Sequence, residues 1–209
     1  MSDGPEILEG DAAAPARSRW RPWLGKALFE SALIVLSVLL ALTLDSWRES
    51  RARARSLAEA RTSLIEELRF NRQLLASDRY LPHHKRLHEL YEGMEASGKI
   101  DQANALFKTG VHVAPLRDAA WRIFLASDVA SDLPFTQRAM LAGIYAGQDQ
   151  LTATHQTAFG FLMEPRADRD NPAYLKDYIR SIDLYLTDIF IGESTLLELY
   201  DGAIADLGR

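Results

Sequence analysis

Three of the five histidines in this 209-residue chain, His83, His84 and His88, lie within six positions of one another. Four-residue spacing sets His84 and His88 on one helix face, as a pair of ligands to a divalent cation would require, and Glu92 extends that face. The order is not His-Glu-x-x-His, and spacing supplies no third protein ligand. Beside Lys85 and Arg86, His83 and His84 read more simply as the solvated, basic start of a helix. No metal ligand is assigned.

Hydrolytic chemistry fares no better. A serine nucleophile needs a strained turn, a base and oxyanion donors, and no Gly-x-Ser-x-Gly occurs. No Gly-rich phosphate loop follows a strand. The carboxylate pairs Glu66–Glu67 and Asp168/Asp170 sit in patterns of exposed helix and loop surface. Without cysteine there are no thiol nucleophiles, thiolate zinc sites or disulfides. No catalytic residue and no cofactor is assigned, and the chain is not expected to be an enzyme. Trp121 and Tyr145 are core or pocket aromatics, the core being the commoner fate of such residues at helical spacing.

The remaining candidate is Glu30, a single charge in the apolar run Ala27–Leu44. Eighteen residues at helical rise span about 27 Å, close to the hydrocarbon thickness of a bilayer. Trp20 and Trp23 precede the run and Trp47 follows it, which places indoles at both interfaces. A carboxylate one turn inside such a span must snorkel, protonate or pair. Glu30 and Ser37 are therefore candidates for a polar contact within the membrane, with interfacial placement of Glu30 as the simpler account. A cleaved signal peptide would have a shorter apolar core and a small-residue cleavage site, whereas this run exits through Thr43-Leu44-Asp45-Ser46-Trp47.

Basic residues flank the span almost equally: Arg17, Arg19, Arg21 and Lys26 before it, Arg48, Arg51, Arg53, Arg55 and Arg61 after it. Charge counting does not orient it. From Leu57 onward the chain carries 16 Lys and Arg against 22 Asp and Glu, an acidic balance that argues against a nucleic-acid binder. The expected partners are the lipid bilayer and other membrane-protein subunits or a second copy.

Residues 1–19 read as a disordered acidic tail, 20–47 as the transmembrane segment and 48–209 as one helical domain. No Gly or Pro interrupts Lys26–Leu81, so the span is expected to continue as one helix to about Ser77. Leu57, Leu64, Leu68 and Leu75 form a stripe along it, shared with Arg61 and Asn71, that needs a partner surface, preferably the chain's own later helices. Short helices are expected at 83–96 and 101–109, then an amphipathic one at 116–130 with Leu116, Ala120, Ile123, Phe124 and Val129 inward. Pro134 and Asn171-Pro172 open the last two, ending near Met163 and Leu207. No window alternates with period two. The fold class is all-α, a transmembrane helix continuing into an antiparallel helical bundle.

The stretch Glu30–Glu49 resembles the opening of a large bacterial family of uncharacterised single-pass membrane proteins. That opening has a glutamate, an Ile/Val/Leu/Gly span, Ala-Leu, an acid or amide, then Trp-Asn-Glu and Arg. Glu30, Ala41-Leu42, Asp45, Trp47, Glu49 and Arg51 occupy those places, with Arg48 for the asparagine. Ala120-Trp121 and Ile144-Tyr145 form a second, looser match. The family has no assigned activity, so the resemblance implies architecture: inner membrane, cytoplasmic N-terminus, periplasmic C-terminal domain. The expected function is protein binding as an accessory or assembly subunit of a membrane complex, with a small-ligand sensor as the alternative.

Overall fold

The structure is a computed structural model that describes residues 21–97, 110–163 and 172–209, in two compact units, Met1–Arg51 and Ala52–Arg209. Among the described residues every regular element is helical. Helix α1 spans Arg21–Leu75, α2 Leu81–Ser97, α3 Ala119–Leu125, α4 Phe135–Met163 and α5 Pro172–Leu207, with one 3₁₀ turn at Ala130–Asp132.

The first unit holds the apolar half of α1. Its best 18-residue window has a mean hydropathy of 2.3 and none of it is buried, so this helix is long and apolar enough to cross a membrane. A helix that is apolar all round normally lies inside a core or a bilayer. Leu28, Phe29, Ile34 and Leu40 are each more than 60% exposed, so the described residues form no core over them. Three polar side chains within the run have local partners. Ser37 and Thr43 donate to the carbonyls of Leu33 and Leu39 at 2.7 Å, and Lys26 lies 3.9 Å from Glu30 one turn on. Trp23 and Trp47 are exposed, and the Arg51 guanidinium sits 4.1 Å from the Trp47 ring centre. Trp20, Asp168 and Asp170 lie outside the described residues.

In the second unit α5 is the spine. Its 36 residues extend about 54 Å, with Ile179, Ile182, Leu186, Ile189, Leu196 and Tyr200 buried at helical period. Residues of α1 join the cluster around its C-terminal part and residues of α2 the cluster around its N-terminal part. Arg72 of α1 pairs with Asp201, His84 at the start of α2 meets Glu193, and His88 meets Asp183. Partners descend along α5 as they ascend through α2, so α2 runs antiparallel to it. Helix α4 lies against α5 in the same sense, for Gly147 approaches Leu196 and Gly192 approaches Leu151; a Cβ on either glycine would stand 3.2–3.3 Å from the facing leucine methyl. Helices α1 and α4 run in the same direction, since Arg61 contacts Gln137 and Glu67 contacts Tyr145. The stripe Leu64, Leu68 and Leu75 is fully buried in the chain's own core, with Leu141, Ile144 and Ile189.

Two expected boundaries shift. The amphipathic segment at 116–130 is helical only over Ala119–Leu125, because the Ser127 hydroxyl bonds the Phe124 carbonyl and the chain turns there. Ile123, expected inward, is 71% exposed, while Trp121 and Phe124 are buried instead. Pro82 does not precede α2 but occupies its first turn, where its missing N–H costs nothing. The helix expected at 101–109 lies outside the described residues.

Ile189 is fully buried where α4 and α5 meet. Ile189→Ala should lower stability by about 2–5 kcal/mol, the range for truncating a buried aliphatic side chain. The check is the urea midpoint of the detergent-solubilised full-length chain, and an unshifted midpoint would contradict this packing.

Candidate functional site

Along α5 the apolar cluster that includes Ile179, Ile182 and Leu186 gives way to a second that includes Ile189, Leu196 and Tyr200. A buried polar centre sits one turn past that junction, at Glu193. His84 and Glu193 are each 0% exposed, and His84 Nδ1 lies 2.9 Å from Glu193 Oε2. The backbone N–H of His112 donates to His84 Nε2 at 3.3 Å, which requires that nitrogen to be unprotonated and puts the ring proton on Nδ1, facing the carboxylate. His84 thus bridges α5 and the segment that follows Gly110.

The other histidines gather around it. His155 of α4 has its ring centre 6.0 Å from that of His84, and its Nδ1 lies 2.8 Å from the Tyr185 hydroxyl of α5. His83 stands 5.7 Å from His84 and 5.4 Å from His112, with its Nε2 on the Gly110 carbonyl at 2.8 Å. His88, one turn along α2, contacts Asp183 at 3.0 Å and stacks on Phe190. Two buried atoms in the centre, Glu193 Oε1 and His155 Nε2, have no hydrogen-bond partner among the described residues. Burial, reinforced by the His84 ring, holds the His155 pKa down to about 4. Burial first, then the charge of Glu193, pushes Tyr185 up. His112 is lowered by burial, then by Arg79, His83 and His84. Asp183 is raised by burial against the pull of His88. Among the described residues no group of three His, Asp or Glu side chains could hold a metal ion.

A second polar centre ties α1 to α3 and α4. Glu67 accepts hydrogen bonds from the backbone N–H of Ala120 at 2.8 Å, from that of Trp121 at 3.3 Å and from the Tyr145 hydroxyl at 2.7 Å. It caps the first turn of α3, whose own Asp118 makes no capping bond. One turn on, the Asn71 amide closes a reciprocal pair with the Arg117 backbone at 2.7 and 2.8 Å, and the Arg117 guanidinium covers Phe70. Trp121 and Tyr145 stack nearly parallel with centres 5.1 Å apart. Both are at most 9% exposed, and they line a cleft of about 680 Å³ rimmed by Asp118, Arg122 and Asp149.

These placements correct two readings of the sequence. Glu67, read as exposed surface, is 7% exposed; Glu66 is the exposed partner. The His83–Arg86 segment is a solvated helix start only at Lys85 and Arg86, because His84 turns into the core. His84 and His88 share a helix face but serve different carboxylates, and Glu92 is exposed. Glu193, His155 and Tyr185 had no local signal, although the helical period of α5 places Glu193 between the buried Ile189 and Leu196. Among the described residues Glu30 and Ser37 make their polar contacts within their own helix. No family model matches this chain, and neither a curated protein nor a solved structure matches it.

Glu67 has three donors converging on it, and their loss is graded. Tyr145→Phe should lower stability by about 1 kcal/mol, while Glu67→Ala, which strands two backbone N–H groups and a hydroxyl, should cost on the order of 3 kcal/mol. Thermal unfolding of both variants and of the double variant checks this. Additive losses would mean that the two side chains are not coupled.

Proposed function

We propose that this is a single-pass bacterial inner-membrane protein with a cytoplasmic N-terminus and a periplasmic helical domain that binds other proteins, as an accessory or assembly subunit of a membrane complex. The uncovered apolar helix with flanking tryptophans supports the membrane anchor. The resemblance of Glu30–Glu49 to single-pass membrane proteins supports the orientation.

The observation that carries partner binding is the outer face of α4 and α5. A groove of about 550 Å³ runs between them, lined by the small residues Ala153 and Ala158 and by Leu184. Leu184 and Ile191, two turns apart on α5, are 58% and 51% exposed. An exposed leucine on the wall of a concave surface, with an exposed isoleucine two turns along the same helix, suits a partner that buries them. A second reading, a small-ligand sensor, draws on Tyr185, which lines the same groove while holding His155 in the polar centre.

Purification in mild detergent followed by mass spectrometry should recover a stoichiometric partner from the wild type, and Leu184→Glu/Ile191→Glu should lose it. Absence of any partner, with a small molecule retained in the groove, would favour the sensor. For the orientation, an alkaline phosphatase fusion at Arg209 should be active and a fluorescent-protein fusion dark; the reverse pattern overturns the periplasmic assignment.

A further inference from the structure

We propose that the histidine centre is an acid-opened latch that holds the start of α2 against α4 and α5, and that mild acid releases α2 about the turn at 76–80. This stands whether or not the α4–α5 groove takes a partner. Four histidines from three segments touch ring to ring: His83 and His84 of α2, His112 of the segment after Gly110, and His155 of α4. Among the described residues the charges facing them are few. Helix α5 supplies Glu193, the uncharged Tyr185, and Asp183, which is engaged with His88. The turn before α2 adds Arg79, a further positive charge near His112. One buried carboxylate stabilises one imidazolium; a second has no counter-charge among the described residues.

The hydrogen bonds make the closed state depend on neutral rings. His84 uses Nε2 as an acceptor for the His112 N–H, and a proton there would set two donors against each other. An imidazolium at His155 carries N–H on both nitrogens, while its Nε2 is buried with no acceptor among the described residues. Both events disfavour the contacts that join α2 to its neighbours. The latch lies within a turn of the hinge: α2 begins at Leu81, and the preceding turn is held by bonds from Tyr80 N–H to Ser77 and from His84 N–H to Tyr80.

The direction in pH follows. His155 binds its proton near pH 4 when closed and near 6.5 when free. The open form therefore takes up more protons between these values, and the stabilisation of the closed form, complete above pH 6.5, is lost as pH falls toward 4. From His155 alone, the open population should rise about thirtyfold between pH 7.5 and pH 5.

The experiment is hydrogen exchange of the full-length chain in detergent at pH 7.5 and 5.0, corrected for intrinsic exchange. Peptides from 81–97 should lose protection by roughly thirtyfold, while those from the Glu67 end, in 135–148 and 200–207, keep theirs. His155→Gln and His84→Asn, which hydrogen-bond without titrating, should flatten the response. His88→Gln should leave it intact, because His88 lies outside the ring cluster, against Asp183 and Phe190. Unchanged α2 protection at pH 5, equal loss in all peptides, or an undiminished response in His155→Gln and His84→Asn would overturn the latch. Should both variants fail to fold, the His155 Cε1–H resonance of the wild type decides: titration near pH 4 supports the latch, and titration near 6.5 overturns it.

Discussion

The apolar stripe of α5 runs through most of a 36-residue helix, and most of the architecture answers the need to cover it. Leaving part of it exposed would forgo about 25 cal/mol for each Å² of apolar surface. The chain covers it by laying the end of α1 and then α2 along it, with α4 on another side. Two helices placed end to end must meet at a turn, and that turn falls opposite the middle of α5. Backbone groups there lose their helical partners, so polar side chains gather at the seam. The His84–Glu193 pair and the His112 N–H occupy that position.

The two polar centres differ in how completely they are satisfied. Glu67 has donors on both oxygens and caps a seven-residue helix too short to persist without tertiary support. It acts as a structural pin, and so does Asn71 one turn away. The centre around His84 leaves Glu193 Oε1 and His155 Nε2 without partners among the described residues. A half-satisfied buried network contributes less and responds to any change that alters its count of donors and acceptors. Protonation is the simplest such change, and imidazole is the side chain that undergoes it near neutral pH.

The first unit follows a different logic. Its helix leaves apolar surface bare on every side, while Ser37 and Thr43 return their hydroxyls to their own backbone and Glu30 stands near Lys26. These three side chains find their partners within the same helix, the pattern a nonpolar surrounding favours.

Local pattern was enough for the elements that bury one face. The apolar run Ala27–Leu44, the unbroken continuation of α1, the starts at Pro134 and Pro172 and the stripe of α5 are all legible in the sequence. Hydrophobic period and proline act over a few residues, so they can be read without knowing the neighbours. The same reading put Ile123 inward and Glu67 outward, and both were reversed by contacts 50 or more residues away in the chain for Glu67, at Ala120 and Tyr145. A charged residue within an apolar stripe gives no local sign of whether a distant donor will meet it. The gathering of His83, His84, His112 and His155 around Glu193 was likewise decided by tertiary structure alone. It arises because α1 and α2 share one face of α5 while α4 takes another, an arrangement set by how long apolar stripes are covered in three dimensions rather than by the spacing of any residues along the chain.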